Sequence, residues 1–342
     1  MTTPLFSLWP ERIHGLLARM TSIGQEKMNH CTPQIAGVDI SKASLDVVLA
    51  PGGVAKVFSN DRKGHCQLMK WLADYTIERI VFEATGAYHC LFERTLDAAG
   101  WPMAKVNPRH ARRFAEATGK LAKTDRCDAA MLARFGALLQ PDVRPACSQT
   151  IDDMQELQTA RNALVKDRTA AKNRQKNVRS SLVKRQVAQR LRQIESQIKA
   201  IDQGLEDLCA ADQNLKQRFE ILISIPGIGA TTAYALLIEM PELGHIGNPQ
   251  AASLAGRAPI ARDSGRWRGK RSIKGGRQNV RHALYMPAQV AARFNPDLIE
   301  KYQALTNAGK AKKIAITAVM RKLLILANTL LAKKRKWAKI AP

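Results

Sequence analysis

The sequence is poor in acid. Only 29 Asp and Glu stand against 54 Lys and Arg in 342 residues, a formal net charge of +25. That imbalance points to a polyanionic partner, with nucleic acid first and an anionic membrane surface as the competing reading. Clustered cysteine is missing too. The six cysteines, at 31, 66, 90, 127, 147 and 209, form no CxxC or similar group. This argues against a zinc site and a disulfide framework, and scattered thiols fit a reducing cytoplasm. No run of about 18 uncharged apolar residues is present to span a bilayer. Residues 1–33 lack a secretory apolar core and read as an N-terminal extension. There is no zinc finger and no recognition helix of the usual kind. Glycine and proline are absent from residues 151–203, so nothing there interrupts a helix.

What is present divides the chain. Its length implies two or three domains, and 45% hydrophobic residues are enough to fill their cores. QIAGVDI, ASLDVVLA and VAKVFSN are short apolar runs bounded by turn residues, and they predict three strands. An amphipathic helix over 61–76, a strand ending at Glu83, a helix stopped by Gly100, a fifth strand and helices from 109 and 125 follow. That order predicts a mixed α/β sheet domain over 34–145. Residues 151–222 predict a basic helical arm. Leu191, Ile194, Ile198, Ile201, Leu205 and Leu208 alternate spacings of three and four, a heptad seam that offers a means of dimerisation. Between 161 and 192 there are eleven Lys or Arg and one acid, Asp167. That is too lopsided for a salt-bridged face, so Lys172, Arg174, Lys176 and Arg179 are expected to contact phosphates. Residues 223–332 predict a mostly helical domain, and 333–342 a basic tail.

The few acids are unevenly placed. In KTDRCDAAMLARF, residues 123–135, Asp125 and Asp128 lie one turn apart at the head of an apolar-periodic run, beside Lys123 and Arg126. Taken singly, each acid has a plain structural explanation. Asp125 and Asp128 suit a helix N-terminus, Asp39 with Ser41 suits a turn, Glu83 suits a helix cap, and Asp46 and Glu93 read as surface acids. Taken jointly, Asp39 and Glu83 end two strands of one sheet, where ligands collect in α/β folds, and Asp125 and Asp128 share one helix face. Four converging carboxylates need cations between them. Oxygen ligands suit Mg²⁺, and two ions about 4 Å apart can clamp a phosphodiester displacement.

The segments GVDISKASLDV, FEATGAY, NPRHARRFAEATGKLAKTDRCDAAMLA, SIPGIGATTA and GRAPIARDSGRWRGKRSIKGGRQNVRHALYMPA resemble the DEDD transposases of bacterial insertion sequences. These are bridge-RNA-guided recombinases related to the pilin-gene invertases, and the resemblance spans about residues 34–332. It implies a ribonuclease-H-like, RuvC-like first domain whose four acids are Asp39, Glu83, Asp125 and Asp128, holding two Mg²⁺. It implies that Ser264 is the nucleophile that becomes linked to DNA. It also implies donor and target DNA, a guide RNA as partners, and homo-oligomers (dimer or tetramer) with composite active sites in a bacterial, nucleoid-associated setting.

Chemistry supports such a role for Ser264. Arg262, Arg266, Arg268, Lys270 and Arg271 surround it, and cations stabilise the charge of a pentavalent phosphorus. Gly265 and Gly269 permit close backbone approach. The plainer alternative is a serine that only hydrogen-bonds a phosphate. Arg266 and Trp267 stand where small polar residues are expected in some relatives. SIPGIG, 224–229, is similar to a helix-hairpin-helix turn, with Gly227 and Gly229 exposing backbone N–H groups to phosphate; it reads equally as a tight packing turn. Arg277, Arg281 and His282 are expected to track phosphates, and Tyr285 to lie in the core. The rival readings are a hydrolytic junction-resolvase-like nuclease, a site-specific DNA invertase, and a non-enzymatic basic nucleic-acid-binding protein.

Overall fold

A computed structural model describes residues 32–84, 86, 88–119, 125–146 and 148–338, with the backbone alone of residues 125 and 126. Lys123, the side chains of Asp125 and Arg126, and most of the N-terminal extension lie outside the described residues. The chain divides into two units, residues 1–146 and 147–342.

The first unit follows the expected order: β1 (Gln34–Ile40), β2 (Ser44–Ala50), β3 (Ala55–Ser59), α1 (Arg62–Leu72), β4 (Ile77–Glu83), α2 (Cys90–Ala98), β5 (Met103–Val106), α3 (Pro108–Ala117) and α4 (Asp125–Leu139). The sheet runs β3-β2-β1-β4-β5. β1, β4 and β5 are parallel, while β2 and β3 are antiparallel additions. This is the ribonuclease-H-like arrangement. Side chains alternate across each strand, so the sheet carries two cores. Val38, Ile40, Ile80 and Phe82 pack with Leu68 and Leu72 of α1 and Phe92 and Leu96 of α2. Ile35, Val81 and Val106 pack with Met131, Leu132 and Phe135 of α4. α1 starts at Asp61, whose carboxylate accepts the Gly64 N–H at 2.7 Å, a side-chain cap.

The second unit begins with two long helices, α5 (Gln149–Asn177) and α6 (Ser181–Ala211). The chain turns back at residues 178–180 without glycine or proline, with Val178 and Ser180 in extended conformation. Leu157 meets Gly204, Arg161 pairs with Asp202 and Lys172 with Glu195, so the helices run antiparallel. This corrects the expected use of the heptad seam. Leu191, Ile194, Ile198 and Leu205 are buried within the chain: Leu191 clusters with Ala171 of α5, and Leu205 with Ile151 and Met154 of α5. The seam is closed in this one chain and no longer argues for a dimer.

α7 (Gln213–Ile223), α8 (Ala230–Glu239), α9 (Asn248–Leu254), α10 (Gln278–Phe294), α11 (Pro296–Asn307) and α12 (Lys312–Ala332) complete the unit. α12 is long and apolar enough to cross a membrane, but 56% of its most apolar window is buried. Val319, Met320, Leu323 and Leu324 pack at the centre of this unit's core, which accounts for the apolarity. The described part of the tail is docked: Trp337 donates its backbone N–H to Ser224 Oγ at 2.8 Å and its indole N–H to Asp297 at 2.9 Å.

Candidate active site

Two strand ends bring two acids side by side. The parallel β1–β4 register runs to Val38 opposite Phe82, and Asp39 and Glu83 are the next residue on each strand. By alternation, Asp39 shares a face with Ile35 and Gly37, and Glu83 with Val81, the face covered by α4. Both are half-buried. Asp39 Oδ1 accepts the Ile40 N–H at 3.1 Å.

The path of α4 sets where the other two acids fall. A Cβ on Gly37 would lie 2.1 Å from the Ala129 carbonyl oxygen and 2.2 Å from the Ala133 nitrogen, and one on Gly136 would lie 2.6 Å from Ile35 and Val81 side chains. Helix and sheet therefore touch backbone to backbone, which only glycine permits. From Gly136 to Ala129 the helix advances toward the C-terminal ends of β1 and β4. Asp39 lies two residues past Gly37, about 6.6 Å along the strand, and that distance along α4 is roughly four residues. The N-terminal end of α4, which carries Asp125 and Asp128, therefore points toward the strand ends that carry Asp39 and Glu83. Asp128 is half-buried.

Among the described residues no group of three or more His, Cys, Asp or Glu lies close enough to hold a metal ion. The Asp125 side chain is outside that search. Asp39, Glu83 and Asp128 are within it and do not form such a group.

Strand pairing adds an acid that sequence reading assigned to the surface. Asp46 on β2 is the direct register partner of Asp39 and is itself half-buried. Nothing local in SLDVV signals this, because opposition is a property of two strands.

In the second unit, Ser264 sits at the tip of a β-hairpin built from β6 (Pro259–Ile260), β7 (Asp263–Ser264), β8 (Trp267–Arg268) and β9 (Ser272–Ile273). β6 pairs with β9 and β7 with β8, placing Ser264 opposite Trp267. Of the two turn residues only Gly265 has positive φ, at 53°, as a type II′ turn requires. Ser264, Arg262, Arg266, Arg268 and Lys270 are exposed. Arg271 is paired with Asp263 at 2.9 Å.

Two arginines expected on phosphates serve as latches at the hairpin base. The Arg277 guanidinium donates to the Glu239 carbonyl and pairs with Glu242 at 2.6 Å. Arg281 donates to the Gly275 and Gly276 carbonyls. Gly227, at φ 107°, packs against Pro287 and Ala291 of α10, and Asn295 donates to the Pro226 carbonyl at 3.1 Å. The IPGIG segment is thus a packed turn on its Gly227 side, while Gly229 is exposed. Tyr285 is 44% exposed, so it is not a core residue.

Lys172, Arg174, Lys176 and Arg179 are all exposed near the turn joining α5 and α6, as are Lys184, Arg185, Arg190 and Arg192. On the sheet unit, α3 begins just past Val106, the register partner of Glu83, and exposes Arg109, His110, Arg112 and Arg113. These basic residues beside the acids were not singled out from sequence.

Residues 36–183 match the family model of IS110-type DEDD enzymes, described as a transposase. Residues 219–303 match a second model, described as the transposase IS116/IS110/IS902 family. The chain is 28% identical over 317 residues to a pilin gene-inverting protein of Moraxella lacunata, covering 89% of this chain and 97% of that one. A pilin gene-inverting protein of Moraxella bovis is 27% identical over 317 residues with the same coverage.

Proposed function

The chain belongs to the IS110 family of DEDD transposases, DNA-cleaving and DNA-joining enzymes, and from that premise we propose that it exchanges DNA strands through a covalent link to Ser264. Asp39, Glu83, Asp125 and Asp128 are the metal-holding acids in this reading. Its main support is the register that sets Asp39 beside Glu83 on the sheet face covered by α4. Two Mg²⁺ ions held by these acids would neutralise their charge and polarise the phosphodiester.

The protein's own residues act as follows. Ser264 Oγ attacks phosphorus; an Oγ–P bond forms and one bridging P–O bond breaks. The Oγ proton passes to solvent, and the departing strand's oxygen takes a proton from solvent and leaves as a hydroxyl. Arg262, Arg266, Arg268 and Lys270 neutralise the charge that gathers on the phosphoryl oxygens. A hydroxyl from another strand then attacks the phosphoserine, and Ser264 recovers its proton. Lys172, Arg174, Lys176, Arg179 and the exposed cations of α3 hold phosphates without reading sequence. In this reading sequence selection falls to a guide RNA that pairs with donor and target DNA. The two inverting relatives support strand exchange as the outcome.

The test is Ser264→Ala. Expected are loss of strand joining and of covalent protein–DNA adduct, with nucleic-acid binding nearly unchanged, because the cationic contacts remain. Cleavage at full rate would instead favour hydrolysis by the acids alone. Sequencing the nucleic acid that co-purifies with the protein tests the guide: a single small RNA species is expected.

A further inference from the structure

We infer that Trp267 is a positioning residue that stacks on a nucleobase next to the cut phosphodiester and so presents that phosphate to Ser264; this rests on the nucleophile reading above. Trp267 is 63% exposed, unusual for a side chain with so large an apolar surface. It is the direct cross-strand partner of Ser264, so the two side chains share one face of the hairpin, with Cβ atoms about 5 Å apart. The indole is held in place from behind. A Cβ on Gly269 would lie 2.6 Å from Trp267 Cη2 and 2.7 Å from Cζ3, so the ring rests against a position that only glycine leaves open. The II′ turn at Gly265 fixes the register that pairs the two residues.

The surroundings select the occupant. Arg262, Arg266, Arg268 and Lys270 are exposed on the same hairpin, so a purely apolar protein surface would bury charge here. A nucleotide satisfies both parts, with its phosphate on the arginines and its base on the indole. Aromatic platforms within cationic tracks hold unstacked bases in this way, with little preference among bases. That tolerance suits an enzyme whose sequence selection lies elsewhere. An exposed ring directly across the strand pair from the nucleophile fixes the nucleotide's rotation, and with it the line of attack on phosphorus.

The first test reads contact rather than rate. Wild-type protein with its co-purifying nucleic acid is bound to DNA spanning the mapped cut site, with 5-iododeoxyuridine stepped through positions on either side. It is then irradiated and the cross-linked peptides are sequenced. A cross-link to Trp267 at one or two positions beside the cut is expected; cross-links confined to other residues overturn the inference. In the second test, Trp267→Ala should slow cleavage on the order of tenfold, and Trp267→Phe should restore most of that loss. An abasic nucleotide at the cross-linked position should slow the wild type similarly and add nothing to Trp267→Ala. If the abasic nucleotide slows both proteins equally, the stacking contact does not exist. A shifted sedimentation coefficient in Trp267→Ala, with no cross-link in the wild type, would assign the ring to a contact between copies and also overturn it. The Ser264→Ala control separates the two readings. Cleavage by that variant removes the nucleophile, while its inactivity alongside full-rate Trp267→Ala removes only the stacking.

Discussion

Asp39 and Asp46 face each other directly across the β1–β2 ladder, two like charges on the face covered by α4. Like charges directly opposed in a sheet destabilise it by up to about 1 kcal/mol. Asp46→Asn removes this repulsion, so the variant's stability relative to wild type should be more favourable in EDTA than in Mg²⁺, by up to about 1 kcal/mol. Melting curves in the two buffers check this. An equal change in the two buffers would overturn it.

The loops following Asp39 and Glu83 are tied by one side chain. Asn60 Nδ2 donates to the Ser41 carbonyl at 2.7 Å and the Tyr88 carbonyl at 3.1 Å, and His65 Nε2 reaches Asn60 Oδ1 at 2.9 Å. Burial holds the His65 imidazole below its ordinary 6.5, only partly offset by Asp61. The neutral ring is the native form, so its contribution is complete above pH 6.5 and is lost as pH falls through the lowered native value. Urea denaturation from pH 7.5 to 5 should show stability falling by up to about 1.4 kcal/mol per pH unit from this one proton. In His65→Gln that component should vanish.

Gly37→Ala should displace α4, because its methyl would enter the Ala129 carbonyl. Forced overpacking of this kind costs about 3 kcal/mol. Gly136→Ala meets the Ile35 and Val81 methyl groups instead, which can shift, and should cost less. Chemical denaturation of both variants checks the order.

Replacing Lys172, Arg174, Lys176 and Arg179 together by Ala should weaken binding alike for DNA of any sequence. If all four touch phosphate, the slope of log K against log salt should fall by roughly 3–4. An unchanged slope would remove the α5–α6 turn from the interface.

Mixing Ser264→Ala with Asp128→Asn protein tests whether sites are shared between copies. Partial recovery of strand joining, up to about a quarter of wild type if dimers assort freely, is expected where acids and serine come from different chains. No recovery at any ratio would place both in one chain.

Much of this was legible in the sequence because it is local. Short apolar runs bounded by turn residues mark β1, β2 and β4, and the three-residue spacing of Asp125 and Asp128 is a helix-face statement wherever the helix lies. What escaped depends on pairing. The opposition of Asp46 to Asp39 needs the β1–β2 register. The heptad seam of α6 reads identically whether its partner is another copy or α5, and only the turn at 178–180 decides for α5. Arg277 and Arg281 carry the charge of phosphate contacts, yet Glu242 and the Gly275 and Gly276 carbonyls hold them. The hairpin bearing Ser264 was visible as glycine and arginine without its strands, because two-residue strands are too short to show a period.

The hairpin tip buries almost nothing, whereas the acids lie under a helix that rests on bare backbone at Gly37. As far as folding goes, the two halves of the proposed chemistry therefore tolerate substitution unequally. Around Asp39, nearly any change of size disturbs the core. At Arg266 and Trp267, both exposed, substitutions act on nucleic-acid contact rather than on the core and need not unfold the chain. Changes beside the serine can therefore alter nucleic-acid contacts and rate while leaving the scaffold intact.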